Sequence, residues 1–547
     1  MNLDIMEWLR SDPVWAAALA VVLPLAVAYY HRKKQDKDTT GTTGTPGGDI
    51  DIPWAPGQIP ILGHALSYRR DPSQFLLRTC QTVGPIFRLN LAGKHMIVVS
   101  GKKAQAHVAK APERILSARQ AVADLGFEET LGKLNVLQGT DLHKGIVKGL
   151  WQRQRQRHGK ENSAITEFGA WKNSIQAALQ TEVATSSSTA SKGKIEFFGL
   201  IRRVMLRVTV DRMIGSAFWG KKDQDDLAED TFLDEFLAFQ DELEDVTAKA
   251  VVLPRWIALP TLLWPVRKKR ERLQRTIAQR LAIILHNSST TTNENKMGFW
   301  VEQLVDSESH SYSYSVEEMA ELVVGLLFAA HKNPAIGAAQ SYLMFWEHCS
   351  ENDQQAIVQD AKKLLSTTTT TTSTNGSWNP AAAEDTGLRR LCLETLRLTA
   401  HSIGGVRTVQ EDFVISVTDD KDPNSSRDYV LPKAASVGLT HIAPNLHPAF
   451  WGTQAAKFQL RAHSMGSYQD DYQFTTFSHG VHKCPGQQLA LVMLQCTVAT
   501  LLLDYEVTLP NPIPPLSFER ATLAQRDGPV LVSIVRRNQN QDQRETS

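Results

Sequence analysis

Hydrophobic residues along this chain recur mostly at helical spacing, and the runs that alternate are short. From Val316 the sequence VEEMAELVVGLLFAAHKNPAIGAAQSYLMFWEH is the longest apolar helical pattern outside the N-terminus. A helix this apolar on all sides belongs at the centre of a large α-rich body. The pattern breaks in its middle, where His331, Lys332, Asn333 and Pro334 place three polar groups and a kinking proline. Proline removes one backbone hydrogen bond and frees a carbonyl, which suits the wall of a ligand pocket. A plain kink with its polar groups at a helix end would read the same way. LALVMLQCTVATLLL, near the C-terminus, predicts another buried helix, and GLRRLCLETLRLTAH predicts a third. In the third, Glu394 and Arg397 share a face at i, i+3 among Leu393, Leu396 and Leu398, so the pair is expected to be at least partly buried. IFRLNLAGKHMIVVSG reads as a β-hairpin around Ala92-Gly93-Lys94, and SIGGVRTV, DFVISV and YVLP read as short strands. Polar stretches near 185–194 and at 287–296 read as surface loops, and the threonine run 366–377 as a disordered insertion.

The N-terminus departs from this pattern. Val14 to Tyr30 is 17 residues without a charge, long enough as a helix for roughly 25 Å of a bilayer. Trp15, Tyr29 and Tyr30 lie at its ends, His31, Arg32, Lys33 and Lys34 follow it, and acidic residues precede it. That order predicts a single uncleaved membrane anchor over residues 1–34, with the bulk of the chain in the cytosol. Residues 35–60 are polar and glycine-rich, then proline-rich through Pro53, Pro56 and Pro60, and read as a linker and stiff spacer. A catalytic domain over 61–540 and a short tail over 541–547 complete the expected organisation.

Composition narrows the function further. With 42% hydrophobic and 21% charged residues the 547-residue chain can bury a large core. The net charge of +1 gives no bulk attraction to nucleic acid. The five cysteines, Cys80, Cys349, Cys392, Cys484 and Cys496, are scattered and never spaced C-x-x-C. They read as free thiols in a reducing compartment.

One cysteine stands in a special setting. FSHGVHKCPGQQLA, residues 477–490, places Cys484 between Gly480 and Gly486, at the start of a predicted buried helix. Backbone N–H groups and the helix dipole favour a thiolate there, and a soft metal or haem iron would use one. A buried cysteine in a Gly/Pro turn fits the same letters. Gly139 to Arg157 is basic and partly amphipathic, either a solvated helix face or a set of donors for an anionic group on a cofactor.

Taken together these motifs resemble the cytochrome P-450 haem-thiolate superfamily over essentially the whole chain. The pattern F-x-x-G-x-(R/H)-x-C-x-G is met by Phe477, Gly480, His482, Cys484 and Gly486. E-x-x-R is met by Glu394 and Arg397, and Phe458 to Arg461 supplies F-x-x-R. The resemblance implies a mainly α fold with small β-sheets behind a transmembrane helix. It implies haem b with Cys484 as axial thiolate, donating electron density that favours O–O cleavage. Phe477 would shield the sulfur, Gly480 and Gly486 would let the loop approach the porphyrin, and His482 would donate to a propionate. Lys144, Lys148 and Arg407 are further propionate candidates, and His143 stands where many members carry tryptophan. Glu394, Arg397 and Arg461 would form a structural triad fixing the chain that presents the cysteine.

The sequence also departs from the family pattern. Members commonly carry A-G-x-(D/E)-T in the central helix, whereas this chain reads Ala329-Ala330-His331-Lys332-Asn333-Pro334. No threonine stands at the relay position, so His331, Lys332 and Asn333 are the expected distal catalytic residues. His482 is typical of sterol demethylases and their relatives, but the tyrosine- and proline-bearing substrate signature of those enzymes is missing from Ser117 to Gly139. That segment and Phe328 to Asn333 are expected to contact substrate. The resemblance implies an endoplasmic reticulum monooxygenase oxidising an apolar small molecule of specialised metabolism with dioxygen, its electrons supplied by an NADPH-dependent flavoprotein reductase. The chain shows no dinucleotide-binding G-x-G-x-x-G segment, so the reductase is expected to be a separate protein. Asparagine at the relay position also occurs in relatives that rearrange peroxides without oxygen, which keeps an oxygen-independent isomerase or dehydratase as the alternative.

Overall fold

The computed structural model describes residues 52–60, 62–139, 141–147, 159–189, 193–219, 229–250, 253, 255–290, 297–305, 314–366, 385–400, 403–419, 422–461, 472–519 and 523–537. The predicted anchor, most of the linker, Lys148, the threonine run beyond Ser366 and the tail lie outside these residues.

The body is mainly helical, as the periodicity predicts. Its principal helices are α1 (Lys102–Lys110), α2 (Ala118–Asp124), α3 (Gly159–Thr189), α4 (Phe197–Thr209), α5 (Glu229–Ala250) and α6 (Trp264–Thr290). The central pattern folds as α7 (Val316–Ala330) and α8 (Lys332–His348), followed by α9 (Glu351–Ser366), α10 (Gly387–Thr399) and α11 (Gln487–Asp504). α3 and α6 run on to Thr189 and Thr290, into stretches predicted as loops. The polar residues there continue a helix already nucleated by its buried upstream turns, so local composition does not end it. Among the described residues two segments, Val316–His348 and Gln487–Asp504, are long and apolar enough to cross a membrane. Both are mostly buried in the body, which accounts for their apolarity.

The strands form small sheets. β1 (Ile86–Leu91) and β2 (Lys94–Val99) make the predicted hairpin, with Ala92 and Gly93 both at positive φ as its tight turn requires. β3 (Leu116–Ser117), β4 (Ile403–Val409) and β7 (Ser436–Thr440) join them in the order β1-β2-β7-β4-β3, with β2 and β7 parallel. β5 (Phe413–Asp419) and β6 (Asp422–Leu431) form a separate antiparallel ribbon. The proline-rich stretch does not stand free as a spacer. Ile52 and Ala55 are buried, and Ala55 N–H donates to the Arg88 carbonyl at 3.0 Å, so the folded body begins ahead of residue 61.

α7 and α8 lie at the centre, packed between α6 and α4 on one side and α10 and α11 on another. A capping box at Ser315 and Glu318 starts α7. Pro334 has no N–H to return to the Ala330 carbonyl, and the helix breaks at His331 (φ −109°).

Ion pairs hold the next layer in place. Glu182 of α3 has no exposed side-chain surface and accepts from Arg203 Nε and Arg207 Nε of α4, both at 2.7 Å. Arg203 reaches on to Asp230 and Asp234 of α5, and Arg202 forms a two-bond fork on Asp241 with both distances 2.9 Å. Replacing Glu182 leaves two guanidinium groups around an emptied buried position. Glu182→Ala is therefore expected to lower unfolding free energy by about 3 kcal/mol, read from urea denaturation of the purified protein.

Candidate functional site

The cysteine loop is built by short-range bonds. The Cys484 N–H donates to the Phe477 carbonyl at 2.8 Å, closing the loop on itself, and the Ser478 N–H donates to the Thr475 carbonyl at 2.8 Å. Gly480 holds φ +64°, and any Cβ there would collide with the Ala109 carbonyl at the end of α1. The glycine is thus a requirement of packing as well as of the turn. Gly486 has ordinary φ and serves as N-cap of α11. A Cβ on it would make only ordinary contact with the Cys484 sulfur, at 4.0 Å, and Cys484 is itself partly exposed, so one flank is open. Phe477 is buried, edge-to-face with Phe474 at 6.2 Å between ring centres.

The helix-end setting does not by itself favour a thiolate. Burial pushes the Cys484 thiol up, and the Gly486 N–H and Lys483 only partly oppose this. A bound cation would reverse that balance by stabilising the charged form.

Glu394, Arg397 and Arg461 meet as predicted, and more completely than partial burial would imply. Glu394 and Arg397 have no exposed side-chain surface. Arg397 forks onto the carboxylate at 2.9 and 2.7 Å, and Arg461 donates to the same carboxylate. Arg397 Nη1 also donates to the Asn445 and Ala455 carbonyls at 2.6 and 2.7 Å, with Trp451 under both guanidinium groups. Asn445 was not legible in the sequence. Its amide donates to the Arg397 carbonyl (3.3 Å) and Thr476 Oγ1 (3.1 Å), while its oxygen accepts the Thr475 N–H at 2.9 Å. These bonds connect the triad to the residues just before Phe477.

The basic candidates converge beside the loop. Lys144 Nζ donates to the Val481 carbonyl at 2.9 Å. Arg407, 4% exposed, donates from Nη1 to the Val406 carbonyl but leaves Nε buried without a hydrogen-bond partner. Burial lowers the Arg407 pKa. His482 Nε2 lies 3.2 Å from Glu113 Oε2 without hydrogen-bond geometry. Burial lowers the His482 pKa, and the positive fields of Arg407 and Lys144 add to this. Lys148 lies outside the described residues.

On the central helix the three expected distal residues separate. Ala329 and Asn333 are exposed and Phe328 and Ala330 partly so, between the buried stretches Leu322–Leu327 and Pro334–Phe345. Along that face, one turn before, Gly325 is filled by Asn135, and one turn after, Gly337 meets Leu494 of α11 and Leu396 of α10. The open positions therefore mark a gap in the packing of this face, bounded one turn away on either side by packed glycines. Asn333 faces it. His331 does not: it is fully buried, bonded from Nδ1 to the Leu327 carbonyl at 2.6 Å, and packed on Phe236. Burial takes its pKa down to about 3, so it remains neutral and is poorly suited to exchanging protons. Lys332 is 3% exposed and places its ammonium between Glu244 (2.5 Å) and Asp241 (3.4 Å) of α5. Phe127, from the 117–139 segment, meets Phe328 edge-to-face at 6.3 Å, and Gln240 of α5 donates to the Phe328 carbonyl at 3.0 Å.

A cysteine on a glycine loop at a helix N-terminus, basic groups beside it and a gap under a broken central helix are the build of a haem-thiolate protein. The cytochrome P450 family model matches residues 53–346 and 387–533, and the chain belongs to that family. Three curated relatives that match along most of its length illustrate the likeness. The cytochrome P450 monooxygenase pynD of Aspergillus niger is 21% identical over 97% of this chain and all of its own. Sterol 14-demethylase of Arabidopsis thaliana is 21% identical over 87% of this chain and 90% of its own. Carnosic acid synthase of Rosmarinus officinalis is 21% identical, covering 85% and 88% respectively. The chain is a cytochrome P450 of the monooxygenase type, and the family's cofactor is haem on a cysteine thiolate. The residues present fit that group: an open flank at the Cys484 sulfur, an unpaired buried Arg407 Nε and the unbonded His482 Nε2.

Two measurements follow from this geometry. Arg397→Met leaves the buried Glu394 carboxylate with Arg461 but without its fork, and takes a donor from the Asn445 and Ala455 carbonyls; it is expected to cost about 3 kcal/mol, read as a lower urea midpoint and less haem retained on purification. His143, bonded to Trp300 Nε1 at 3.3 Å, is held neutral by burial with a pKa of about 4. Its unfolded form takes up a proton below about pH 6.5, so its contribution to stability falls as pH drops from there towards its folded pKa. His143→Gln should therefore remove about 1.4 kcal/mol per pH unit from the acid dependence of unfolding in that window.

Proposed function

We propose that this chain is a membrane-anchored monooxygenase that oxidises an apolar small molecule of specialised metabolism. The observation that carries this reading is the gap lined by Phe328, Ala329, Ala330 and Asn333, an apolar wall with one amide. The names of the fungal and plant relatives support the chemical direction, since one is a monooxygenase and another a synthase of carnosic acid. Endoplasmic reticulum anchoring rests on the uncharged run Val14 to Tyr30 with its basic flank. Electrons from a separate NADPH-dependent flavoprotein reductase would arrive at the Cys484 side.

When bound, the haem supplies activation of dioxygen. The chain's own residues supply the rest. Cys484 would ligate the haem iron, in a loop pinned through Asn445 to the Glu394–Arg397–Arg461 cluster. His482, Arg407 and Lys144 would hold its propionates, and Phe477 would help keep water from the sulfur. Asn333 orders a water in the gap without acting as an acid. Lys332 pins the helix break at His331 to Asp241 and Glu244 of α5, and so fixes the position of Asn333 beside it.

The test is a reconstituted assay with NADPH, a flavoprotein reductase and dioxygen, its substrate found as the precursor accumulating in a deletion strain. A reduced carbon-monoxide spectrum lacking the thiolate-type Soret band would remove Cys484 from its role. Turnover of a peroxide without NADPH or oxygen would replace the monooxygenase reading with an isomerase.

A further inference from the structure

Three consecutive residues of the cysteine loop are each gripped by the chain between Ala109 and Lys144. Gly480 lies against the Ala109 carbonyl, the Val481 carbonyl takes the Lys144 ammonium at 2.9 Å, and His482 Nε2 stands 3.2 Å from Glu113 Oε2. That same stretch of chain contains the 117–139 segment, whose Phe127 meets Phe328 on the central helix.

Glu113 connects the two. One of its oxygens accepts from Ser117 Oγ at 2.8 Å and from the Arg119 N–H at 2.9 Å. The other accepts from the Ala118 N–H at 3.2 Å and faces His482. The carboxylate thus holds the first turn of α2 by hydrogen bonds and stands within 3.2 Å of the loop at His482. It sits in a basic corner, within the electrostatic reach of Arg407 as well as His482. Burial acts to raise its pKa, but the Arg119 and Ala118 N–H groups, the Ser117 hydroxyl and His482 prevail and lower it, so it stays ionised. Ser117 is itself fixed in the sheet, paired with Thr408 next to Arg407.

We propose that Glu113 is a positioning residue that couples the pocket-lining segment beginning at Ser117 to the cysteine loop through His482. The proposal rests on the haem-thiolate reading of Cys484. Through this link, a shift of α2 as a molecule enters the gap moves the charge environment beside the propionate site. A carboxylate there also stabilises the oxidised, more positive state of a neighbouring redox centre.

The test compares full-length holoenzyme with Glu113→Gln, which keeps the shape and removes the charge, and with Glu113→Ala. The reduced carbon-monoxide spectrum of the wild type is recorded first. Two readouts follow: the midpoint potential, and hydrogen–deuterium exchange of peptides covering 118–124 and 477–486. Both variants are expected to shift the potential to more positive values. In Glu113→Ala, exchange should quicken about tenfold in both peptides, the scale of a lost helix cap. Faster exchange in 118–124 alone, with an unmoved potential, would overturn the coupling and leave Glu113 as a cap of α2. A wild-type spectrum without the thiolate-type band would instead overturn the haem reading beneath it.

Discussion

A guanidinium with no exposed atom is tolerable only if its donors are answered, and Arg397 sets the terms for everything around it. Its fork on Glu394 neutralises the charge, and its remaining donors reach the Asn445 and Ala455 carbonyls. The Asn445 carbonyl ends a short helical turn, Ile442–Asn445, and the Ala455 carbonyl lies in a turn closed from Gly452. The pair therefore does more than survive burial: it gives these two short turns a fixed place against α10. Such an arrangement adds little net stability over an apolar one and is costly to break. What it contributes is location, passed through Asn445 to Thr475 and so to the loop that carries Cys484.

The thiol shows why location matters more here than intrinsic acidity. Isolated, Cys484 is pushed towards its neutral form by the apolar wall behind it. The loop's work is to hold a sulfur at a fixed point with one flank open, so that a cation bound there can take up the thiolate charge. The distal side is organised differently. An apolar face surrounds a single amide at Asn333, and the ionisable residues beside it, His331 and Lys332, turn away into packing and ion pairs.

Much of this was legible in the letters, and the reasons are physical. Long apolar periodicity located α7, α8, α10 and α11, and alternation with Ala92-Gly93 located the hairpin, because burial leaves a strong local signature. Motif spacing likewise brought Glu394, Arg397 and Cys484 forward. What stayed hidden depends on long-range placement. Asn445 and Glu113 are ordinary residues until a fork reaches one and a loop approaches the other. His331 and Lys332 looked equivalent to Asn333, because adjacent letters on a helix point in different directions and a proline break shifts the phase between them. The run of α3 and α6 on to Thr189 and Thr290 was missed because serine, threonine and asparagine in succession read as a loop.

The anchoring of α5 has a mechanical consequence. This helix supplies Gln240 to the pocket wall at Phe328, and its attachments are graded along its length. Asp230 and Asp234, at one end, meet Arg203 with half or more of their side chains in solvent, while Lys332 holds Asp241 and Glu244 from a nearly dry position. Dissolved ions screen the first set and scarcely touch the second. Rising ionic strength therefore loosens the ion pairing at one end of this helix and leaves the Lys332 seam intact, while Phe232 and Leu233 keep the same end packed in the core.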